Sequence, residues 1–147
     1  MNQTAKDTLI KLFQNYTGAP PAAISPLPPS GSYREYYRLS TPDGKTTAIG
    51  AFNEDRKEND AFVSFTKTFQ KLNLPVPRLL GDAPGQNVYL LSDLGNTTLF
   101  KYLSTHRTKA GYPDHLVRIY EKVVRRLPDF QIIAAPHIPY DRCYPRA

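Results

Sequence analysis

Cysteine is almost missing from this chain: Cys143 is the single one in 147 residues. It cannot close an internal disulfide and has no partner at metal-ligand spacing, so neither a stapled secreted scaffold nor a zinc site is supported. No apolar run approaches the ~18 residues that a membrane-spanning helix needs. The opening Met1-Asn2-Gln3-Thr4-Ala5-Lys6-Asp7 also lacks the basic segment and apolar stretch of a secretory leader. These absences lead to the expectation of a cytoplasmic protein with no membrane partner. A concentrated basic patch is missing too. The net charge of +6 would suit a polyanion such as a nucleotide, a nucleic acid or an acidic membrane surface. Lys and Arg are spread along the chain, however, and the densest group, Lys122-Val123-Val124-Arg125-Arg126, falls on a predicted helix where a solvated face is the ordinary explanation. Nucleic acid is therefore not the expected partner.

What is present is the composition of an ordinary globular domain, with 40% hydrophobic, 12% aromatic and 22% charged residues. The length allows one main core. Leu9, Ile10, Leu12 and Phe13 recur at helical intervals between Thr4 and Tyr16, and Gly18 with Pro20-Pro21 ends that pattern. The Pro/Ser/Gly-rich stretch from Ala19 to Ser32 contains Ile24 and Leu27, which can begin an edge strand. Two β-prone runs, Tyr33 to Ser40 and Thr46 to Phe52, flank Thr41-Pro42-Asp43-Gly44 and predict an antiparallel hairpin.

Phe62, Phe65, Phe69 and Leu72 then form one helical stripe, with acidic residues early and Lys67 and Lys71 late. Leu74-Pro75-Val76-Pro77 stops that helix. A second hairpin is predicted from Arg78 to Leu91 around Pro84-Gly85. Asn96 or Thr97 can cap a helix through Leu99, Tyr102 and Leu103. A further helix from Pro113 carries Leu116, Ile119, Tyr120, Val123 and Leu127 and is ended or kinked by Pro128. The tail from Ala134 to Ala147 has little periodicity and is expected to be loosely held.

Three features could carry chemistry. The turn Ser30-Gly31-Ser32-Tyr33 can bring backbone N–H groups close to phosphate oxygens, because Gly31 has no side chain and accepts positive φ; a plain hairpin turn has the same composition. On the following strand Arg34, Tyr36 and Arg38 alternate onto one face, where two guanidiniums could meet a polyphosphate or line a solvated surface. Leu90-Leu91-Ser92-Asp93-Leu94-Gly95 is an extended segment leading into a helix, either a hinge with exposed backbone groups or a structural linker.

In this order and spacing, Pro28 to Leu39, the Leu74-Pro75-Val76-Pro77 exit and the Leu90 to Gly95 segment resemble the aminoglycoside phosphotransferase and choline kinase-like small-molecule kinases. Within that family the look is closest to bacterial kinases of cell-wall amino sugars, and the resemblance covers roughly residues 24 to 145. It implies an α+β fold: a protein-kinase-like N-lobe, meaning a twisted antiparallel sheet with one packed helix, over residues 1–95, then the helical start of an incomplete C-lobe over 96–147. It implies ATP or GTP with magnesium as cofactor, a hydroxyl of a sugar or similar small molecule as acceptor, and Ser30, Gly31, Ser32, Tyr33, Arg34 and Arg38 near the phosphates. Ser92 and Leu94 would supply backbone contacts to the base, while Asp93 would fix the following turn.

The sequence departs from the family in two places. The third strand, Thr47-Ala48-Ile49-Gly50-Ala51-Phe52, has no lysine to hold the α- and β-phosphates, and Lys45 comes too early. Arg34 or Arg38 could supply that charge, with Glu58 as helix partner, or nucleotide binding is weak or altered. The histidine-x-aspartate motif of the family's catalytic segment is also missing: His106, His115 and His137 have no aspartate two residues on. The expectation is a nucleotide-binding lobe that is inactive by itself, either part of a longer enzyme or a natural truncation. Two other classes stay open: a non-catalytic nucleotide-binding or protein-interaction module, and a basic RNA-binding α+β domain using Tyr33, Tyr36 and Tyr37. If the Leu116 to Leu127 stripe normally packs elsewhere, it should be partly uncovered or drive self-association.

Overall fold

The computed structural model of the chain describes residues 1–29, 31–109 and 111–143. The described residues divide into two compact units, 1–93 together with 138–143, and 94–137.

The first unit is α+β. Helix α1 (Gln3–Thr17) begins where the Asn2 side chain accepts the Ala5 N–H and ends at Gly18, whose positive φ of 85° lets its own N–H reach the Gln14 carbonyl. Strands β1 (Ala23–Pro26), β2 (Glu35–Ser40), β3 (Thr47–Phe52), β4 (Leu79–Ala83) and β5 (Val88–Ser92) form one antiparallel sheet in the order β1-β2-β3-β5-β4. Both predicted hairpins are present, β2–β3 in the register Ser40↔Thr47 and β4–β5 around a 3-10 turn at Pro84–Gln86. β1 lies at the edge, where Pro26 needs no ladder donor. Helix α2 (Arg56–Lys71) connects β3 to β4, is capped by Asp55, and stops at Leu72 before Asn73 takes a left-handed φ of 55°.

The expectation of a sheet with one packed helix is corrected here, because helices cover both faces. Alternate residues of β3 and β5 point opposite ways. Ala48, Phe52, Val88 and Leu90 pack with Ala5, Leu9 and Phe13 of α1, while Ala51, Tyr89 and Leu91 pack with Phe62 and Val63 of α2. A sequence pattern of polar-out alternation is therefore missing from β5, whose residues Val88 to Leu91 are all buried. The face of α2 also differs from the expected Phe62/Phe65/Phe69/Leu72 stripe. Its buried residues are Asn59 and Thr66, with Phe62 stacked on Tyr89 at 5.0 Å, whereas Phe65 and Phe69 meet edge-on beside that seam.

The second unit holds α3 (Leu99–His106) and α4 (Asp114–Pro128). Thr98, rather than Asn96 or Thr97, caps α3 by accepting the Lys101 N–H at 3.0 Å. Pro128 ends α4 as expected: having no N–H it interrupts the α ladder, and the backbone continues as one π-helical stretch, Asp129–Ile133. Leu116 of the predicted stripe is buried, but Tyr120, Val123 and Leu127 are exposed. The tail is more ordered than its lack of periodicity suggests, with 3-10 turns at Ala135–His137 and, in the first unit, at Tyr140–Arg142. Tyr144 to Ala147, the end of that tail, lie outside the described residues. No helix among the described residues is long and apolar enough to cross a membrane.

Gly50 sets how closely α1 approaches the sheet, since a Cβ there would stand 2.9 Å from Leu9 Cδ1 and 3.0 Å from Leu39 Cδ1. Gly50→Ala is expected to destabilise the fold by about 1–3 kcal/mol through overpacking, measured as a lowered urea midpoint at unchanged slope. A second prediction concerns acid. The Met1 ammonium reaches the Glu35 carboxylate at 2.7 and 2.8 Å, and the Tyr37 hydroxyl donates to it as well. Those hydrogen bonds hold the Glu35 pKa below its ordinary value and push Tyr37 up to about 12. A depressed carboxyl pKa stabilises the fold above the unfolded value of ~4.3 and loses that effect as pH falls through the folded value. The stability advantage of the wild type over Glu35→Gln, read by denaturant titration, should therefore be present at neutral pH and vanish in acid.

Candidate functional site

Arg34, just before β2, lies on the face of the sheet covered by α2. β1 is prolonged by the Leu27 N–H bonding the Tyr36 carbonyl at 2.8 Å, and the chain then loops out before β2. In that loop Gly31 takes φ of 38°, the Ser32 hydroxyl accepts the Arg34 N–H at 3.3 Å, and the Tyr33 ring is fully exposed. Ser30 lies outside the described residues. A cavity of about 240 Å³ runs along the loop and reaches Arg34 and Tyr36.

Arg34 leaves this loop as a buried cation. Its side chain is only 9% exposed, its guanidinium lies 5.0 Å from the Phe62 ring centre and 5.9 Å from that of Tyr89, and Nη2 is 3.1 Å from Glu58 Oε1. Cation–π contact of this kind is worth roughly 1–2 kcal/mol once water is excluded. Burial opposes the charge on Arg34, but Tyr89, Tyr36 and Glu58 together outweigh it and raise its pKa. Glu58 is held in turn: Asn53 donates to its Oε2 at 2.9 Å, and it occupies the first turn of α2, where the helix dipole favours a negative charge. Asp55-x-x-Glu58 has the spacing of a capping box, but only half of the box forms. The Asp55 carboxylate accepts the Glu58 N–H at 3.0 Å, while the Glu58 carboxylate turns to Asn53 and Arg34.

The ion pair leaves Arg34 short of acceptors. Its Nε and Nη2 have no hydrogen-bond partner among the described residues; Nη2 is close to Glu58 yet out of line with it. The Tyr89 hydroxyl is likewise buried without a partner, and burial pushes its pKa far up. Buried donors are normally paired, and leaving one unpaired costs on the order of 1–3 kcal/mol. On the same face of β3, Ala51 is fully buried between Tyr36 and Tyr89 in the sheet register, and Lys45 is exposed in the β2–β3 turn.

Arg38, beyond Tyr36 on the same face, makes a different pair. Its Nε and Nη2 donate to the two Asp93 oxygens at 2.6 and 3.1 Å, joining β2 to the residue just after β5. Asp93 is 7% exposed. The Ser92 N–H bonds the Arg78 carbonyl at 2.8 Å and the Ser92 hydroxyl accepts the Arg78 N–H at 2.9 Å, so its amide is already used within the sheet. Leu94 is exposed and begins the second unit. Of the residues singled out in the sequence, Gly31, Ser32, Tyr33 and Arg34 form one continuous loop, and Arg38 stands apart with Asp93.

No protein-family model and no curated protein sequence matches this chain. Its chemistry therefore has to be read from the geometry. Asn53, Phe62 and Tyr89, which complete the surroundings of Arg34, carry no motif; the one signal that could have found them is the capping-box spacing that places Glu58 at the start of α2. Among the described residues no three His, Cys, Asp or Glu side chains come together as a metal site.

The Arg38–Asp93 pair gives a direct test of the β2–β5 link. Arg38→Ala should cost about 1–3 kcal/mol, less than a fully buried pair, because it removes two charged donors from the buried Asp93 carboxylate. The double change Arg38→Ala with Asp93→Ala should recover part of that loss in a urea-unfolding cycle.

Proposed function

We propose that the first unit is a nucleotide-binding lobe of protein-kinase type, from an ATP- or GTP-dependent phosphotransferase acting on a hydroxyl of a sugar or similar small molecule in the cytoplasm. The carrying observation is Arg34, a buried guanidinium with unpartnered donors at the base of a Gly/Ser loop, braced by a carboxylate on the neighbouring helix. In kinases a loop of this kind covers the phosphates, and a cation paired to a helix glutamate holds them. Here Arg34 takes the role of that cation and Glu58 the role of the helix acid. The order of parts supports the reading: loop between β1 and β2, helix between β3 and β4, and the Ser92–Leu94 segment directly after β5.

In this reading the orphan N–H groups of Arg34 donate to phosphate oxygens in charge-assisted hydrogen bonds, and Gly31 allows the loop backbone to approach them. Ser92 would contribute its carbonyl to the base, since its N–H is occupied by Arg78, and Leu94 its backbone N–H. In this reading the chain's own part is to bind and orient the nucleotide through Arg34 and the loop backbone.

A non-catalytic interaction module is the second reading. It is favoured by the exposed Tyr120, Val123 and Leu127 of α4 and by a groove of about 330 Å³ along Tyr112, Val117 and Tyr120 in the second unit. An RNA-binding sheet finds less support, because helices cover both faces and Tyr36 and Tyr37 are half-buried.

Titration of the chain with ATP and GTP, with and without magnesium, tests the first reading. Residue-resolved NMR shifts should cluster at residues 31–34 and 91–95. Arg34→Ala should weaken affinity about 10- to 100-fold, the loss expected for one or two charged hydrogen bonds, with the fold preserved by circular dichroism. Absence of shifts at millimolar nucleotide would overturn this reading and leave the interaction module.

A further inference from the structure

After the second unit the chain returns to the first, and its last described turn, Tyr140–Arg142, packs on α2. Two cavities mark that junction. One, of about 280 Å³, lies between Lys57 and Asp60 of α2 and the facing Asp141, Arg142 and Cys143. Each side of it thus presents one cation and one anion. The other, of about 250 Å³, is also lined by Arg142 and Asp60 and extends past Asn59 to the Lys67–Asp82 ion pair. Asn59 is buried, its Nδ2 bonds the Asn53 carbonyl at 2.7 Å, and its Oδ1 is an acceptor with no partner among the described residues. Arg142 is a donor lining the cavity that Asn59 also lines.

We propose that the Tyr140–Arg142 turn is a latch on the first turns of α2, held by charge complementarity with Lys57 and Asp60, and that its seating keeps Glu58 in place against Arg34. The coupling is short. Lys57 and Asp60 flank Glu58 and Asn59 in sequence, and both of the latter are tied to Asn53, Glu58 through the Asn53 side chain and Asn59 through its carbonyl. Closure of the latch draws the Arg142 guanidinium toward the Asn59 oxygen and restrains the helix end that carries Glu58. Opening it frees that helix end and loosens the Arg34–Glu58 pair. The latch thereby regulates the same site described above. Its relevance to nucleotide affinity rests on the proposed function, whereas its effect on Arg34 does not.

The test uses the full chain, with ¹⁵N NMR of the Arg34 Nε–H and hydrogen exchange of the α2 amides as readouts independent of nucleotide. Arg142→Asp should speed exchange of the Arg34 Nε–H and of the Asn59 to Thr66 amides about three- to fivefold, the modest size expected for an exposed charge contact. The charge swap Arg142→Asp with Asp60→Lys should restore both. A second variant, with Tyr140, Asp141 and Arg142 all changed to Gly, should exchange at least as fast as Arg142→Asp. Unchanged exchange in both latch variants, or faster α2 amides with an unchanged Arg34 Nε–H, would overturn the latch. ATP affinity measured on the same proteins separates the two ideas: a wild type that binds no ATP, yet shows the exchange pattern, loses the nucleotide reading and keeps the latch.

Discussion

Burial of β3 and β5 on both faces is the constraint that the rest of the first unit follows. A strand covered on one side can send alternate residues to water, but Ala48 to Phe52 and Val88 to Leu91 have helices above and below. Small residues are needed where those helices come close, which is why Gly50 sits under Leu9 and Ala51 under α2. It also explains why the third strand carries no lysine. A long cation at position 51 would have to find room between Tyr36 and Tyr89 beneath a packed helix.

A cation reaches this face from the loop before β2. Arg34 enters the covered face from the sheet's end, where its stem and guanidinium can lie against Phe62 and Tyr89 without crossing the core. A planar guanidinium suits this position better than an ammonium would, because it stacks on aromatic rings and is more weakly hydrated. The same burial that brings Arg34 to Glu58 leaves two of its nitrogens short of acceptors. Arg38, by contrast, has found a carboxylate in two-pronged geometry, and its role is the link between β2 and the end of β5.

Local signals were strong wherever one residue type decided the backbone. Gly18, the Pro42-Asp43-Gly44 turn, Pro84-Gly85 and Pro128 each mark a break that the structure contains. The candidate site was legible in part: the alternation of Arg34, Tyr36 and Arg38 on one face needs only the period of a strand. Which arginine meets Glu58 was not legible, since both lie on that face and the choice depends on where the first turn of α2 lands. The apolar stripe of α2 misled for a related reason. Helical spacing identifies a set of apolar residues, but the sheet's shape selects which positions are fully covered, and here these are the polar Asn59 and Thr66, with Phe62, Phe65 and Phe69 half-buried.

The sequence by itself determined the element order, the two hairpins, the helix breaks and which of Arg34, Tyr36 and Arg38 share a face, because each follows from backbone sterics and periodicity within a few residues. Only the tertiary structure decided that α1 covers the second face of the sheet, that Arg34 pairs with Glu58 and Arg38 with Asp93, and that Asn59 and Tyr89 are buried with orphan polar atoms. The two ion pairs join residues 24 and 55 positions apart, α1 meets strands still further along the chain, and such long-range contacts are fixed by how helices and strands fill a common core, which no local pattern encodes.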